Sequence, residues 1–255
     1  MFLEQIHDLI RKFLFRERKM SKRLPSFPSL ILIIPLINEP QTNIISEGEA
    51  EAAYNELFTD TSLEIGKSIS KDERDKRNLN EEKSLIYGEV EFNSFYRILR
   101  KINPEAGLTF YDLGSGTGKA VFAARFTQDF ARCIGIEILQ GLHNQASKIS
   151  QRYNSDFRSV LCSSQRQHAA VYQGSFLEFD WTDGDVIFAN STCFDDELME
   201  SMSRMAEGLR PGAILVTFTK GINSKCFELL EKKREKMSWG PATGTLRVSQ
   251  TNKQT

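Results

Sequence analysis

The sequence has few of the residues that build metal centres and disulfide frameworks. It contains 4 cysteines and 3 histidines in 255 residues, all widely separated, and no two cysteines form a C-x-x-C pair. Zinc sites and disulfide-stapled domains need close, regular spacing of these residues. The sequence therefore predicts no metal site and no disulfides, and it fits a reducing compartment.

Long apolar runs and a large excess of one charge are also missing. The longest apolar run, residues 30–37 (LILIIPLI), contains Pro35 and is well short of the about 20 residues that a membrane helix needs. No small-residue cleavage pattern typical of a signal peptide follows it. The formal net charge of -1 provides no overall field that would attract nucleic acid or a membrane surface. We predict no transmembrane span.

Charge is uneven in the first third of the chain. Residues 1–46 predict a basic amphipathic helix and a proline-punctuated extension, with seven basic side chains and one acidic side chain from Arg11 to Arg23. Packing of that helix on the main body is the favoured interpretation, and weak nucleic-acid contact is the alternative. Residues 47–84 are acidic, with helical turns indicated near Ala50 to Phe58 and little apolar material in KSISKDERDKRNLNEEK (residues 67–83). They predict a partly mobile linker or helical cap.

Apolar runs and helical periodicity alternate over residues 85–252, which predicts an α/β domain with a mostly parallel sheet covered on both faces. Strands are indicated at residues 108–112, 132–137, 168–174, 185–190 and 213–218, and helices at residues 92–102, 118–126, 139–153 and 196–208. Mixed charges in ELLEKKREK, residues 228–236, predict a solvated helix. Tyr96, Arg97, Arg100 and Lys101 are expected on an exposed helix face.

A glycine-rich loop, FYDLGSGTGKAVFAAR at residues 110–125, follows the first of these strands. It does not satisfy the P-loop pattern, and Lys119 occupies the third glycine position of a dinucleotide fingerprint. Asp112 would repel a pyrophosphate and attract an ammonium group, which favours S-adenosylmethionine over a dinucleotide or a structural turn. Gly114, Gly116 and Gly118 would let the backbone approach that ligand, and Glu137, ending the next strand, could accept hydrogen bonds from both ribose hydroxyls.

The stretch around this loop, YGEVEFNSFYRILRKINPEAGLTFYDLGSGTG at residues 87–118, resembles the disruptor-of-telomeric-silencing family of histone lysine methyltransferases, which lack a SET domain. The likeness covers roughly residues 84–250 and continues through GIE (135–137), HAAVYQGSFL (168–177), VIFANSTCF (186–194) and SWGPATGTLRV (238–248). It implies the class I methyltransferase fold, a Rossmann-like, mostly parallel seven-stranded sheet with helices on both faces and a helical or irregular N-terminal extension.

The resemblance also implies roles for individual residues, with S-adenosylmethionine as cofactor. A loop with Tyr87 and Glu89 would close on the methionine end, Asp112 would hold the ammonium and Phe176 would pack on the adenine. The implied cofactor-binding residues are Tyr87, Glu89, Asp112, Gly114, Gly116, Gly118, Lys119, Glu137, Ser175, Phe176 and Asn190. The implied catalytic residues, lining a channel for the substrate lysine, are Tyr87, Asn190, Ser191, Thr192 and Phe194.

The function implied by the resemblance is histone lysine N-methylation, with a histone or other protein as substrate, the nucleosome as a further candidate partner, and the nucleus as location. The sequence departs from the family pattern at Val90, Lys119, Ser175 and within residues 190–194. A non-histone protein substrate, a small-molecule substrate, a non-catalytic cofactor-binding module and a cytoplasmic location therefore stay open. We expect a monomer.

Overall fold

The computed structural model describes residues 45–158 and 168–250, and the basic helix expected within residues 1–46 lies outside them. Seven strands of the described part form one sheet, in the order β3-β2-β1-β4-β5-β7-β6. The strands are β1 (Thr109–Leu113), β2 (Arg132–Glu137), β3 (His168–Gln173), β4 (Val186–Ala189), β5 (Ile214–Phe218), β6 (Phe227–Met237) and β7 (Gly240–Ser249). Strands β1 to β5 pair in parallel, and β7 is antiparallel to β5 and β6. The mostly parallel sheet and the five predicted strands are confirmed.

Six α-helices of the described residues pack around this sheet. They are α1 (Glu47–Leu57), α2 (Leu63–Lys76), α3 (Phe92–Ile102), α4 (Lys119–Thr127), α5 (Gln140–Arg152) and α6 (Asp196–Ala206). Short 3₁₀ turns lie at Lys83–Leu85 and Ser191–Cys193, and a π-helical turn, Tyr153–Phe157, follows α5. The four helices predicted from periodicity are confirmed to within one or two residues at each end. Over the described ranges, none of the helices combines the length and the apolarity that crossing a bilayer requires.

The core lies on both faces of the sheet, because successive side chains of a strand point to opposite sides. In β1, Phe110 belongs to the buried cluster with α3 and α4, and its neighbour Tyr111 belongs to the cluster with α6. Phe95 of α3 contacts both Phe110 and Phe188 of β4, with ring centroids 6.1 and 4.8 Å apart. These contacts fix β1 and β4 side by side at the centre of the sheet.

The prediction of a solvated helix at residues 228–236 is wrong, since these residues belong to the edge strand β6. Glu231 and Glu235 face α3. Oε1 of Glu231 lies 2.5 Å from Nζ of Lys101, and Oε2 of Glu235 lies 4.0 Å from Nη2 of Arg97. Mixed charges at short spacing suit either a helix or an edge strand, and lysines are common on edges because they discourage further pairing. These residues form a strand because they pair with β7 over the length of β6.

Residues 47–84 differ from the linker part of their prediction, because they form α1, α2 and a short turn. Ala50, Tyr54 and Leu57 of α1 are buried in the core cluster. Ser46 and Ser62 cap the two helices by accepting hydrogen bonds from the backbone N–H groups of Glu49 and Ile65. Capping of this kind stabilises a helix even where apolar residues are scarce. The segment is therefore mostly helical.

The exposed face expected on α3 is corrected at one position. Arg97, Arg100 and Lys101 are exposed, but Tyr96 is buried, with its ring centroid 5.9 Å from that of Phe92. A tyrosine ring carries enough apolar area to pack inward while its neighbours on the helix stay in solvent.

Candidate cofactor and active site

The candidate site lies at the carboxyl ends of β1 and β4, where the strand order reverses direction. Crevices at such switch points are the usual ligand sites of open α/β sheets. A cavity of about 280 Å³ opens there. It brings together most of the residues predicted from the sequence, namely Tyr87, Glu89, Asp112, Gly114, Gly116, Lys119, Glu137, Ser175, Phe176, Asn190, Thr192 and Phe194.

The three glycines of the loop after β1 all have left-handed backbone conformations, with φ of 84° at Gly114, 56° at Gly116 and 87° at Gly118. Residues with a Cβ atom are strained in that region. Space is also limiting at Gly116, where a Cβ atom would lie 2.5 Å from the ring of Tyr87. Gly118 is not part of the cavity wall; its N–H donates to the carbonyl of Ser115 and it precedes the first residue of α4.

Asp112 is the buried carboxyl group at the end of β1, with 2% of its surface exposed. Its Oδ1 atom is buried and has no hydrogen-bond partner among the described residues. Burial, and then the nearby charge of Glu137, raise the pKa of Asp112 well above its usual value. A buried polar atom without a partner is costly. A ligand that brings a cationic N–H donor to this oxygen would remove that cost.

Glu137 is the second buried carboxyl group, at the end of β2. Its Oε2 accepts from the N–H of Gly116 and its Oε1 from the N–H of Leu139, each at 2.7 Å. Burial raises the pKa of Glu137 to about 7 although these bonds oppose the shift. Each carboxylate oxygen has two lone pairs, so both can still accept from a diol. The backbone thus aims Glu137 at the cavity.

Two aromatic rings form the apolar wall of the cavity. Phe176 and Phe194 are stacked, with centroids 5.8 Å apart and an interplanar angle of 26°. Trp181 fixes this wall by donating from Nε1 to the carbonyl of Phe176 at 3.0 Å. The resemblance assigned the two rings to different ligand groups, and the structure places them in direct contact. Beside them, the hydroxyl of Ser175 accepts from the N–H of Leu177.

The loop that carries Tyr87 and Glu89 closes another side of the cavity. The Tyr87 hydroxyl donates to Glu89 Oε1 at 2.6 Å and lies 2.7 Å from the hydroxyl of Thr117. Glu89 Oε2 is 4.0 Å from the ammonium of Lys119, which also lies 4.1 Å from the ring centroid of Phe58. Burial raises the pKa of Glu89 and lowers the pKa of Lys119, and the pair opposes both shifts. This network ties the loop to α4.

The segment after β4 provides the remaining polar groups. Asn190 donates from Nδ2 to the carbonyl of Gly88 at 3.4 Å, and its Oδ1 accepts from the hydroxyl of Thr192 at 3.1 Å. Ser191 was expected in the channel wall, and that expectation is wrong. Its side chain is fully buried and its hydroxyl bonds the carbonyls of Phe218 and Lys220, which anchor the 3₁₀ turn below the cavity.

Sequence reasoning missed several cavity residues, of which Trp239 is the largest. Trp239 follows β6 and packs over Gly88, where a Cβ atom would lie 2.9 Å from its ring. Ser238 supports the same contact by accepting from the N–H of Glu89 at 3.1 Å. The signal was present, because SWGPATGTLRV was among the resembling motifs, but no residue of it received a role. Ile138, Leu139 and Leu142 were also missed.

Across the described residues, no group of three or more His, Cys, Asp and Glu side chains could hold a metal ion. The charged side chains that line the cavity are Glu89, Asp112, Glu137 and Lys119.

Comparison with known proteins places this site in a family. The sequence model of the family described as "Histone methylation protein DOT1" matches residues 66–250. The chain belongs to this DOT1 family. The class I methyltransferase fold implied by the resemblance is that of the seven-stranded sheet described above.

Individual relatives carry more specific names. The chain is 26% identical over 187 residues to the "Histone-lysine N-methyltransferase, H3 lysine-79 specific" of Candida albicans, and 25% identical over 183 residues to the protein of the same name from Debaryomyces hansenii. Each match covers 67% of this chain but only 14% and 16% of the relatives, respectively. Among solved structures, a putative methyltransferase, yhhF from Escherichia coli, has a TM-score of 0.49 and 15% identity, covering 62% of this chain and 86% of that chain.

The geometry fits S-adenosylmethionine, the cofactor that the DOT1 family implies. The partnerless oxygen of Asp112 suits an ammonium group, the oxygens of Glu137 suit a ribose diol, and the stacked rings suit a planar base. Asp112 and Glu137 beside the glycine loop would oppose a pyrophosphate. The cavity residues therefore favour this cofactor over a dinucleotide.

Proposed function

We propose that this DOT1-family chain is an S-adenosylmethionine-dependent protein lysine N-methyltransferase whose substrate is a histone. The observation that carries the proposal is the buried Asp112 oxygen without a partner among the described residues, at the mouth of a loop with three left-handed glycines. Family membership supports the lysine substrate, and the names of the relatives make histone H3 the first substrate to test.

The chain's own residues would bind and orient the cofactor. Asp112 would accept from the ammonium group, Glu137 from the ribose hydroxyls, and Phe176 would pack against the adenine. When bound, S-adenosylmethionine supplies a methyl carbon on a sulfonium, which a neutral amine can attack in line without a metal. Alignment and exclusion of water are then the main tasks of the protein.

The loop with Tyr87 and Glu89 and the indole of Trp239 would exclude water from the reacting end. A lysine side chain has a pKa near 10.4 in water, so its amine must lose a proton before it can react. Burial between aromatic and apolar walls disfavours the charged form of an amine and promotes that loss. Asn190 Oδ1 and the Thr192 hydroxyl, which line the cavity, would orient the neutral amine.

Incubation of the full chain with methyl-labelled S-adenosylmethionine and histone H3, core histones or nucleosomes tests the proposal. We expect label on a histone lysine, located by mass spectrometry, and its loss in Asp112→Asn. Asp60→Asn, which changes an exposed aspartate, is the matched control and should retain labelling. Absence of label from every histone sample and from a whole-cell protein extract would refute the proposal.

The same experiment separates the alternatives. Label in a dialysable product, with proteins unlabelled, would identify a small-molecule methyltransferase. Binding of S-adenosylmethionine in a calorimeter without transfer to any component of the extract would identify a non-catalytic binding module. Label on a non-histone protein would keep the lysine chemistry and replace the substrate.

A histone substrate implies that the protein acts in the nucleus, and this location is part of the proposal. Contact with nucleosomal DNA through Arg11 to Arg23 is proposed from charge alone. Fluorescence imaging of the tagged full chain tests the location. Salt-dependent binding of the full chain to nucleosomal DNA, with and without neutral substitutions in that cluster, tests the contact. Exclusion of the tagged wild-type chain from the nucleus would contradict the histone assignment.

A further inference from the structure

The helix α2 contacts the candidate site through one of its faces. Gly66, Ser70 and Glu73 are separated by four and three residues, so they lie on the same side of the helix. Gly66 and Ser70 are the buried residues of α2, and neither buries a large apolar surface. Ile65, by contrast, is 41% exposed. Ile69 of α2 is half-buried and packs against the start of α5, so this side of the helix has one apolar contact. The contacts of Gly66, Ser70 and Glu73 accompany it.

Gly66 lies against Tyr87. A Cβ atom at Gly66 would lie 2.2 Å from Cε1 of the Tyr87 ring, and a Cβ atom at Gly116 would lie 2.5 Å from Cε2. The ring is thus held between two glycines, one in α2 and one in the glycine loop. Because each approach is closer than a side chain permits, the ring has no room to shift toward either element. Its hydroxyl is then directed at Glu89 and Thr117.

Ser70 holds the backbone just before Tyr87. Its hydroxyl is fully buried and donates to the carbonyl of Leu85 at 2.9 Å. This bond fixes the start of the loop that carries Tyr87 and Glu89. The side chain of Ser68 on the same helix is exposed and bonds Asp72, in α2 itself, at 3.5 Å.

Glu73 extends the contact to the other side of the cofactor cavity. Its two carboxylate oxygens accept from the backbone N–H groups of Gln140 at 3.0 Å and Gly141 at 2.7 Å, the first residues of α5. These N–H groups have no partner within their own helix, and a carboxylate there is favourable. Helix α5 begins three residues after Glu137. Glu73 therefore fixes the turn between Glu137 and α5, which orients the Glu137 side chain toward the cavity.

We propose that α2 is a positioning helix of the site, in which Gly66, Ser70 and Glu73 together set the Tyr87 ring, the loop after Leu85 and the turn after Glu137. The three residues touch groups on two sides of the cavity without lining it themselves. The effect on cofactor affinity rests on the proposed function, whereas the effect on the loop does not.

The decisive variant is Gly66→Ala in the full chain, because the new methyl group must displace the Tyr87 ring. Overpacking of this kind predicts roughly tenfold weaker binding of S-adenosylmethionine in a calorimeter. Gly48→Ala is the matched control, since Gly48 is also helical and a Cβ atom there would have no neighbour within 4 Å. It should leave the dissociation constant unchanged.

A double-mutant cycle separates positioning from general disruption of the helix. In a Tyr87→Leu background the aromatic ring is gone, so Gly66→Ala should change the affinity by less than about twofold. An equal loss of affinity in both backgrounds would overturn the role of Gly66 in positioning Tyr87.

Amide hydrogen exchange gives a readout that needs no cofactor. We expect faster exchange over residues 85–90 in Gly66→Ala than in wild type or Gly48→Ala. If Gly66→Ala does not fold, Ser70→Ala takes its place, with Ser68→Ala as its control on the outer face of α2. Unchanged exchange over residues 85–90 in the folded variants would overturn the inference. Failure of the wild-type chain to bind S-adenosylmethionine would refute the proposed function, while exchange would still decide the role of α2.

Discussion

Helix α2 and the edge strand β6 are two highly charged segments with similar composition and different structures. Residues 67–83 and residues 228–236 both consist largely of lysine, arginine and acidic side chains. The first is mostly helical and the second is a strand. A capping serine and the contacts with Tyr87 and α5 hold α2, whereas pairing with β7 holds β6. Partners in the fold, more than composition, decide the structure of such segments.

The two segments support successive parts of the same loop. Gly66 and Ser70 of α2 hold residues 85–87, and the end of β6 holds residues 88–90 through Trp239, Ser238 and a bridge from Met237 to Val90. The supports differ in rigidity. The Tyr87 ring is enclosed between two glycines, while Trp239 is 37% exposed and has solvent into which it can move.

The largest effect on stability and on cofactor binding is expected from removing the ring of Tyr87, which Gly66 of α2 contacts. Tyr87→Ala should lower the free energy of unfolding by about 2 kcal/mol, less than the cost of a fully buried aromatic ring, because Tyr87 is half-buried. It should also weaken cofactor binding by more than the roughly tenfold expected of Gly66→Ala. Tyr172→Ala, at a tyrosine that is 46% exposed, is the control and should cost about 1 kcal/mol or less. Urea unfolding measures both, and equal losses would show that Tyr87 is not enclosed.

A second prediction concerns the pH dependence of stability that Glu137 causes. Glu73 of α2 fixes the turn after this residue. The pKa of Glu137 is raised from 4.5 to about 7 by burial, so the folded state holds its proton more tightly than the unfolded state. The contribution of Glu137 to the free energy of unfolding should therefore be greatest below pH 4.5. It should fall as the pH rises toward 7. The full loss is about 3 kcal/mol, since each pKa unit corresponds to about 1.4 kcal/mol.

Glu137→Gln should reduce this fall between pH 5 and 8, because an amide does not titrate. The part that Asp112 and Glu89 contribute should remain, since burial raises the pKa of both. The amide nitrogen facing a backbone N–H adds only a constant offset. Unfolding by urea at several pH values measures the slope. Glu178→Gln, at an exposed glutamate, should keep the wild-type slope. Parallel curves for wild type and Glu137→Gln would contradict the assignment of the titration to Glu137.

A third prediction tests the β6 side of the loop. A Cβ atom at Gly88 would lie 2.9 Å from the Trp239 ring, but that ring can move outward. Gly88→Ala should therefore weaken cofactor binding only about threefold, less than Gly66→Ala. In a Trp239→Ala background the same substitution should have no further effect. A loss at Gly88 as large as that at Gly66 would show that the two supports are equally rigid.

The smallest effect concerns β6 as a strand. Lys232 is exposed and lies opposite Thr245 of β7. Threonine favours strands and pairs well with threonine across a sheet, so Lys232→Thr should raise the free energy of unfolding by about 0.3 kcal/mol. In a helix the same change would be destabilising. A drop in stability would argue for the helical interpretation of this segment.

The sequence was sufficient for the parallel part of the sheet because each buried strand is a short apolar run between turn signals. It was also sufficient to bring together Asp112, Glu137 and the glycine loop, since the carboxyl ends of adjacent parallel strands meet at one edge. The edge strand β6 was not predictable in the same way, because its charges fit a helix equally well. Ser191 was assigned to the channel by its neighbours, and its orientation depends on carbonyls of β5 and the following loop.

The contribution of α2 was beyond local sequence reasoning for another reason. Gly66 and Ser70 matter through what they touch, and their contacts, Tyr87 and Leu85, lie well beyond the end of the helix in the sequence. A glycine within a polar helix gives no signal of a ring packed against it. The roles of the cavity residues in binding and transfer stay predictions, to be tested by the variants above.

Asp112 Oδ1 has no hydrogen-bond partner among the described residues, so a ligand that binds there should stabilise the folded protein measurably. Any small molecule that delivers a positively charged hydrogen to that atom offsets a desolvation penalty already present in the folded chain, and the melting temperature rises accordingly. A thermal-shift comparison of matched analogues with and without the ammonium group, in wild type and in Asp112→Asn, would then show how much of the stabilisation depends on this oxygen, without any knowledge of the substrate.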